Sequence, residues 1–106
     1  MQAGKLNKRV QLQEPAETQN STGEEIQSYS TYTTVWASIE PLQGRELEHA
    51  QQISAEVSHR VKIRYNANVA AKDRVIYGSR TLEIEAVLNP EERNEELILM
   101  CKEIAG

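Results

Sequence analysis

The side chains that most often do chemistry are few in this chain: a single cysteine, Cys101, and two histidines, His49 and His59. A zinc site usually draws two ligands from one local turn, at spacings such as C-x2-C or H-x3-H. No such pair occurs, because the histidines fall on different elements and Cys101 is far from both in sequence. His59 is in phase with Val57 and Val61, which marks it as a core or barrel-end residue. Nucleophilic catalysis needs a serine, threonine or cysteine beside a base that a third group holds. None of the serines sits in a G-x-S-x-G elbow. Cys101 alternates with Leu97 and Leu99, the pattern of a small buried hydrophobe. Gly4, Gly23, Gly44, Gly78 and Gly106 are too scattered for a phosphate-binding loop. Glu91, Glu92, Glu95 and Glu96 lack the spacing of an EF-hand loop and read as a solvated acidic turn. The expectation is a protein without catalytic residues, cofactor or metal.

One charge pattern is ordered. Arg60, Lys62 and Arg64 share a strand face in a chain whose formal net charge is −4. The row could track phosphates, pair across strands with Glu83 and Glu85, or meet an acidic face on another subunit. Cross-strand pairs of this kind contribute about 0.2–1 kcal/mol each. The acidic balance weighs against a general nucleic-acid binder and against attraction to an anionic membrane. Cross-strand pairing and subunit contact together are therefore favoured. A competing reading is a small β-barrel that binds single-stranded nucleic acid, with Tyr29, Tyr32, Trp36, Tyr65 and Tyr77 as stacking platforms beside the row.

The elements that must position these groups follow from periodicity. Val10 and Leu12 alternate with Arg9, Gln11 and Gln13, as in a half-buried strand. Pro15 opens a polar stretch to Glu25, which contains the turn-rich run Asn20, Ser21, Thr22, Gly23. A strand over residues 26–32 makes this stretch the loop of a long hairpin. Over residues 34–40, Val35, Ala37 and Ile39 share one face, while Trp36, Ser38 and Glu40 share the other. Pro41 ends that strand, and Gly44 caps a short helix over residues 45–52 with acidic groups in its first turns. Residues 56–65 alternate most clearly, with Val57, His59, Val61, Ile63 and Tyr65 on one face. Strands over residues 73–77 and 80–88 form a hairpin whose Gly78 suits a type II′ turn. Residues 97–102 make the last strand.

The pattern predicts a mainly β fold: a small antiparallel barrel of five to six strands, closed or nearly so, with one short helix and a long β-hairpin loop. At 106 residues a single domain is expected, with a core that is thin because phenylalanine is absent. No apolar run approaches the length of a membrane span, about 20 residues, and nothing near Met1 resembles a signal-peptide core. With one cysteine, a soluble chain in a reducing cytosol is expected.

Five stretches, in order, carry a family resemblance: AGKLNKRVQLQ, TVWASIEPLQGRE, AEVSHRVKIRY, RVIYGSRTLEIEAV and NPEERNEELILMCKE. Over residues 3–103 they resemble the bacteriophage head–tail joining proteins, also called head closure, stopper or head–tail adaptor proteins. The resemblance implies a single head–tail joining domain over residues 1–106, assembled into a ring, usually twelvefold, that closes the DNA-filled head and offers the tail an attachment surface. Implied partners are the portal or adaptor protein, a tail terminator or tail completion protein, and further copies of the chain. Proteins of this kind often oligomerise only on their template, so a monomer in isolation is compatible with it. Packaged DNA would pass without sequence-specific binding, and no membrane is implied. The location would be the head–tail junction of a phage or prophage virion, after assembly in the bacterial host cytoplasm. A hairpin loop in such proteins can project into the channel. Here the match is residues 14–25, with Glu14, Glu17, Asn20, Ser21, Thr22, Gly23, Glu24 and Glu25 as channel-facing candidates. Arg45, Glu46, Arg60, Lys62, Arg64, Glu83 and Glu85 are the candidates for a subunit or partner interface. The family implies no catalysis.

Overall fold

Alternating apolar residues along six strands close around one another in the computed structural model, which describes residues 6–19, 25–52 and 54–104. The strands are β1 (Lys8–Gln19), β2 (Glu25–Pro41), β3 (His59–Arg64), β4 (Arg74–Tyr77), β5 (Arg80–Leu88) and β6 (Glu96–Ile104), with the helix α1 (Gly44–Gln51) between β2 and β3. They form a closed antiparallel barrel in the order β1-β2-β3-β6-β5-β4. Closure leaves no free edge around the barrel, the usual protection against edge-to-edge aggregation.

The inward faces supply the core. Val10 and Leu12 of β1, Ala37 of β2, Val61 and Ile63 of β3, Val75 of β4, Leu82 and Ile84 of β5, and Leu99 and Cys101 of β6 are all essentially inaccessible to solvent. Each fully buried aliphatic side chain contributes about 1.5–3 kcal/mol. A second, smaller core lies outside the barrel wall. There Leu42, Ala50, Val57 and Met100 are buried together, with Leu47, Ala86 and Ile98 packed against them. β6 is consequently buried on both faces: Leu99 and Cys101 look inward while Ile98 and Met100 lie under α1. A bulge in β5 assists. Ile84 pairs with Cys101 and Ala86 with Met100, which leaves Glu85 as the extra residue and shifts Ala86 to the helix side.

Three sequence expectations are corrected. Pro15 does not end β1, and the stretches around residues 26–32 and 34–40 are one strand. β1 and β2 continue beyond the barrel as a paired arm in which Pro15 faces Tyr29 and Gln19 faces Glu25. In the arm β1 has a neighbour on one side only, so a residue without an N–H is accommodated. Glu14, Glu17 and Glu25, expected in a loop, are therefore strand residues. The arm gives the molecule its extents of 48 × 27 × 27 Å, and six residues of β1 past the barrel reach about 20 Å. The helix starts one residue early: Gln43 is the N-cap, with no side-chain cap bond, and Gly44 itself has φ +58. Finally, β6 stands between β3 and β5, so the Arg60 row has no cross-strand route to Glu83 and Glu85. The expected turn is present, with Gly78 at φ +59 and Ser79 outside the positive region.

Candidate assembly surfaces

Backbone pairing within the arm is supplemented by side chains at its base. Leu12 pairs with Thr33 and Gln13 with Thr31, so Tyr32 is the extra residue of a bulge where the arm leaves the barrel. A bulge sharpens strand twist and re-aims its side chain. Tyr32 donates its hydroxyl to Oδ2 of the buried Asp73 at 2.8 Å, an oxygen that also accepts the Ala70 N–H at 3.1 Å. Burial, then the Asp73 carboxylate as acceptor and as charge, push the Tyr32 phenol above its ordinary value. Next to it the Arg74 guanidinium lies 3.8 Å from the Tyr29 ring centroid, and Gln13 Nε2 donates to Thr31 Oγ1 at 3.0 Å. The arm is thus clasped to the strand β4 and the loop before it. Of the channel-facing candidates, Glu14 is exposed on the arm. Asn20, Ser21, Thr22, Gly23 and Glu24 lie outside the described residues, as do the side chains of Glu17 and Glu25.

The interface candidates separate into distinct environments. Arg60 is held by Glu40 at 3.4 Å and by Glu46 of α1, which ties the helix start to the barrel wall. Arg45 is exposed. Lys62 and Arg64 have no carboxylate within 4 Å among the described residues, and the same holds for Arg9 of β1. Arg9 instead lies 5.2 Å from the Trp36 ring centroid. Glu83 and Glu85 surround Lys102 of β6, each at 3.7 Å, with Glu56 closer at 2.7 Å. The hydrogen bond between Glu56 and Lys102 holds the carboxyl below its usual range and the ammonium above its own. Three carboxylates around one ammonium make this wall net negative. Towards the end of β6, Arg80 grips Glu103 through two 3.0 Å hydrogen bonds, which lower the Glu103 pKa.

The five aromatic residues do not make one stacking platform. Tyr29 is covered by Arg74, Tyr32 is engaged with Asp73, and Tyr77 packs against the barrel core. Trp36 and Tyr65 are exposed. Tyr65 was expected to face inward with Val61 and Ile63, but β3 stops at Arg64 and the alternation ends there.

Pairing brings His59 opposite Cys101, a meeting that sequence spacing concealed. It makes no activated thiol. Cys101 Sγ contacts the Leu99 carbonyl at 3.5 Å, and burial pushes its pKa up to about 12. His59 Nδ1 lies 2.8 Å from Ser58 Oγ, and its Nε2 lies 3.7 Å from Glu103. Among the described residues no group of three or more His, Cys, Asp or Glu could hold a metal ion, and no helix is long and apolar enough to cross a membrane.

Sequence reasoning missed Lys102, Asp73 and Arg74, whose roles depend on which strands become neighbours. Trp36 carried a signal, since it falls on the polar phase of β2 beside Ser38 and Glu40.

A model of the phage head completion protein family matches residues 1–104. Among the curated proteins none matches. Of the solved structures, the solution structure of a Shigella flexneri 2a protein is similar at 26% identity, with a TM-score of 0.79, covering 99% of this chain and 98% of that one. A chain of the virion of the native gene transfer agent particle is similar at 17% identity, with a TM-score of 0.60, covering 95% and 97%. At that identity the likeness is one of fold.

Proposed function

This chain belongs to the phage head completion protein family, and from that premise we propose that it forms a ring between portal or adaptor and tail, closing the DNA-filled head. Its role in the phage head is structural, as a component of the virion that contacts other head or tail proteins. The ring, the head–tail junction, the tail-attachment surface and assembly in the bacterial host cytoplasm belong to the proposal. So does a single head–tail joining domain over residues 1–106.

The observation that carries the reading is a closed barrel with one clasped hairpin arm. Closed barrels can pack side by side without offering strand edges, and an arm about 20 Å long reaches beyond its own subunit wall. DNA carries one charge per about 1.7 Å of axis. An arm with the exposed Glu14 at its base and Glu17, Glu24 and Glu25 in its sequence therefore guides DNA without holding it. In this reading residues 14–25 face the channel. Arg45, Glu46, Arg60, Lys62, Arg64, Glu83 and Glu85 serve contacts with neighbouring copies or with portal and tail partners. It assigns the chain no catalytic step and no membrane contact.

Cryo-electron microscopy of particles tests it. The expected density is a ring of this fold between portal and tail, with arms directed at the axis. Density for the chain elsewhere in the virion would overturn the junctional role. Particles assembled without the protein should lose DNA and fail to gain tails.

A further inference from the structure

Trp36 is the most exposed large apolar side chain among the described residues, at 51%, and it points away from the core on the barrel's outer wall. Its neighbours are cationic. Arg9 pairs with Trp36 across β1 and β2. Ala37 pairs with Ile63, which sets Arg64 beside Trp36 on β3. With Leu6 and Asn7, Trp36 and Arg64 line a shallow groove of about 420 Å³. Lys62 adds a further charge one outward position along β3. A tryptophan flanked by arginines is the composition of a binding hot spot, and a groove beside it lets a partner exclude water.

The chain also carries the complementary surface. Going round the barrel in the order β1-β2-β3-β6-β5-β4, β2 and β5 are three positions apart, on opposite walls. Glu83 and Glu85 of β5, with Glu56, form the net-negative wall around Lys102. A ring of identical subunits needs two different, mutually complementary faces on nearly opposite sides of each copy.

The geometry points to a second copy of this chain as the occupant of the Trp36 surface: Trp36, Arg9, Arg64 and Lys62 of one copy meet Glu56, Glu83 and Glu85 of the next. This rests on the ring reading above and names its contact. Trp36 supplies apolar contact area, while the opposed charges set orientation and reject the reversed pairing. Lateral contacts of this kind leave the arm and both barrel ends free for other partners.

The test uses particles assembled from an equal mixture of nitrogen-14 and nitrogen-15 chains. They are treated with a carbodiimide, which joins amines to carboxylates without a spacer. Mixed-isotope peptides joining Lys62 to Glu56, Glu83 or Glu85 are expected. Trp36→Ala should lower their yield about thirtyfold, the loss typical of a central tryptophan hot spot, with an unchanged circular dichroism spectrum because the residue is exposed. Arg64→Glu should lower it too, and Trp36→Phe should restore part of the loss. Oligomers whose mixed-isotope peptides come from other surfaces would overturn the inference and leave the ring standing. Particles that contain the protein yet yield no oligomers would overturn both. Trp36 is the sole tryptophan, so its fluorescence supplies a separate check. Salt-sensitive quenching by a thymidine oligonucleotide would assign the patch to single-stranded nucleic acid and overturn the self-contact.

Discussion

The barrel and the arm are made of the same two strands, yet different forces hold them. Within the barrel, β1 and β2 bury Val10, Leu12 and Ala37 against four other strands. Past the bulge at Tyr32 no described side chain of the arm belongs to a buried apolar cluster, and what holds the arm's base is its own ladder and a polar clasp: Tyr32 with Asp73, Tyr29 with Arg74, Gln13 with Thr31. One continuous strand can thus be rigid by apolar burial at one end and directed by a few polar bonds at the other. For a head completion protein the division is useful, since the barrel can keep its place while a few polar groups set the arm.

The largest effect should come from the barrel. Leu99→Ala empties part of a fully buried site on β6 and should cost about 2–5 kcal/mol, read from denaturant unfolding. Arm amides should exchange no faster in this variant except through global unfolding. Selective loss of arm protection would break the comparison. Tyr32→Phe should act in the opposite pattern. It leaves the buried Asp73 with one acceptor bond fewer, at a cost of about 1–3 kcal/mol, and exchange should rise in the arm before the barrel.

The clasp also has a pH signature. The folded Tyr32 phenol titrates above its ordinary value of 10.0, so the neutral form is the one the folded state favours. Its contribution is complete below pH 10 and is lost as pH rises towards the folded value. In alkaline solution the wild-type arm should loosen and Tyr32→Phe should show a smaller change. Arg74→Ala removes the cation over Tyr29 and should cost about 0.5–1 kcal/mol, again with faster exchange confined to the arm.

The smallest effect belongs to the exposed wall. Glu56 is held below its ordinary 4.5 by Lys102, so its contribution is present above that pH and is lost as pH falls through the lowered value. Lys102→Met should lower stability slightly at neutral pH and converge with the wild type in acid, which flattens that limb of the profile measured by thermal unfolding from pH 6 downwards.

The strands around the core were legible because a half-buried strand repeats every two residues. Val10 and Leu12, Val61 and Ile63, Leu97 and Leu99 all announced their inward faces. The outer half of β1 reads as loop because its polar residues carry no apolar alternation and Pro15 looks like a stop, whereas the facing stretch of β2 reads as strand. The expected pairing of the Arg60 row with Glu83 and Glu85 failed for another reason. Charge complementarity along a sequence does not say which strand comes between.

Alternation and turn glycines were thus enough to define a small antiparallel β-barrel, because backbone geometry alone converts a period of two into an inside and an outside. Which residues share the outer wall was decided only when the strands closed in the order β1-β2-β3-β6-β5-β4. That closure put Lys102 among three carboxylates, Asp73 under Tyr32 and Trp36 between two arginines. Such groups lie far apart in the chain, and their meeting depends on register and strand order, which are set by packing the whole barrel rather than by any local run of residues.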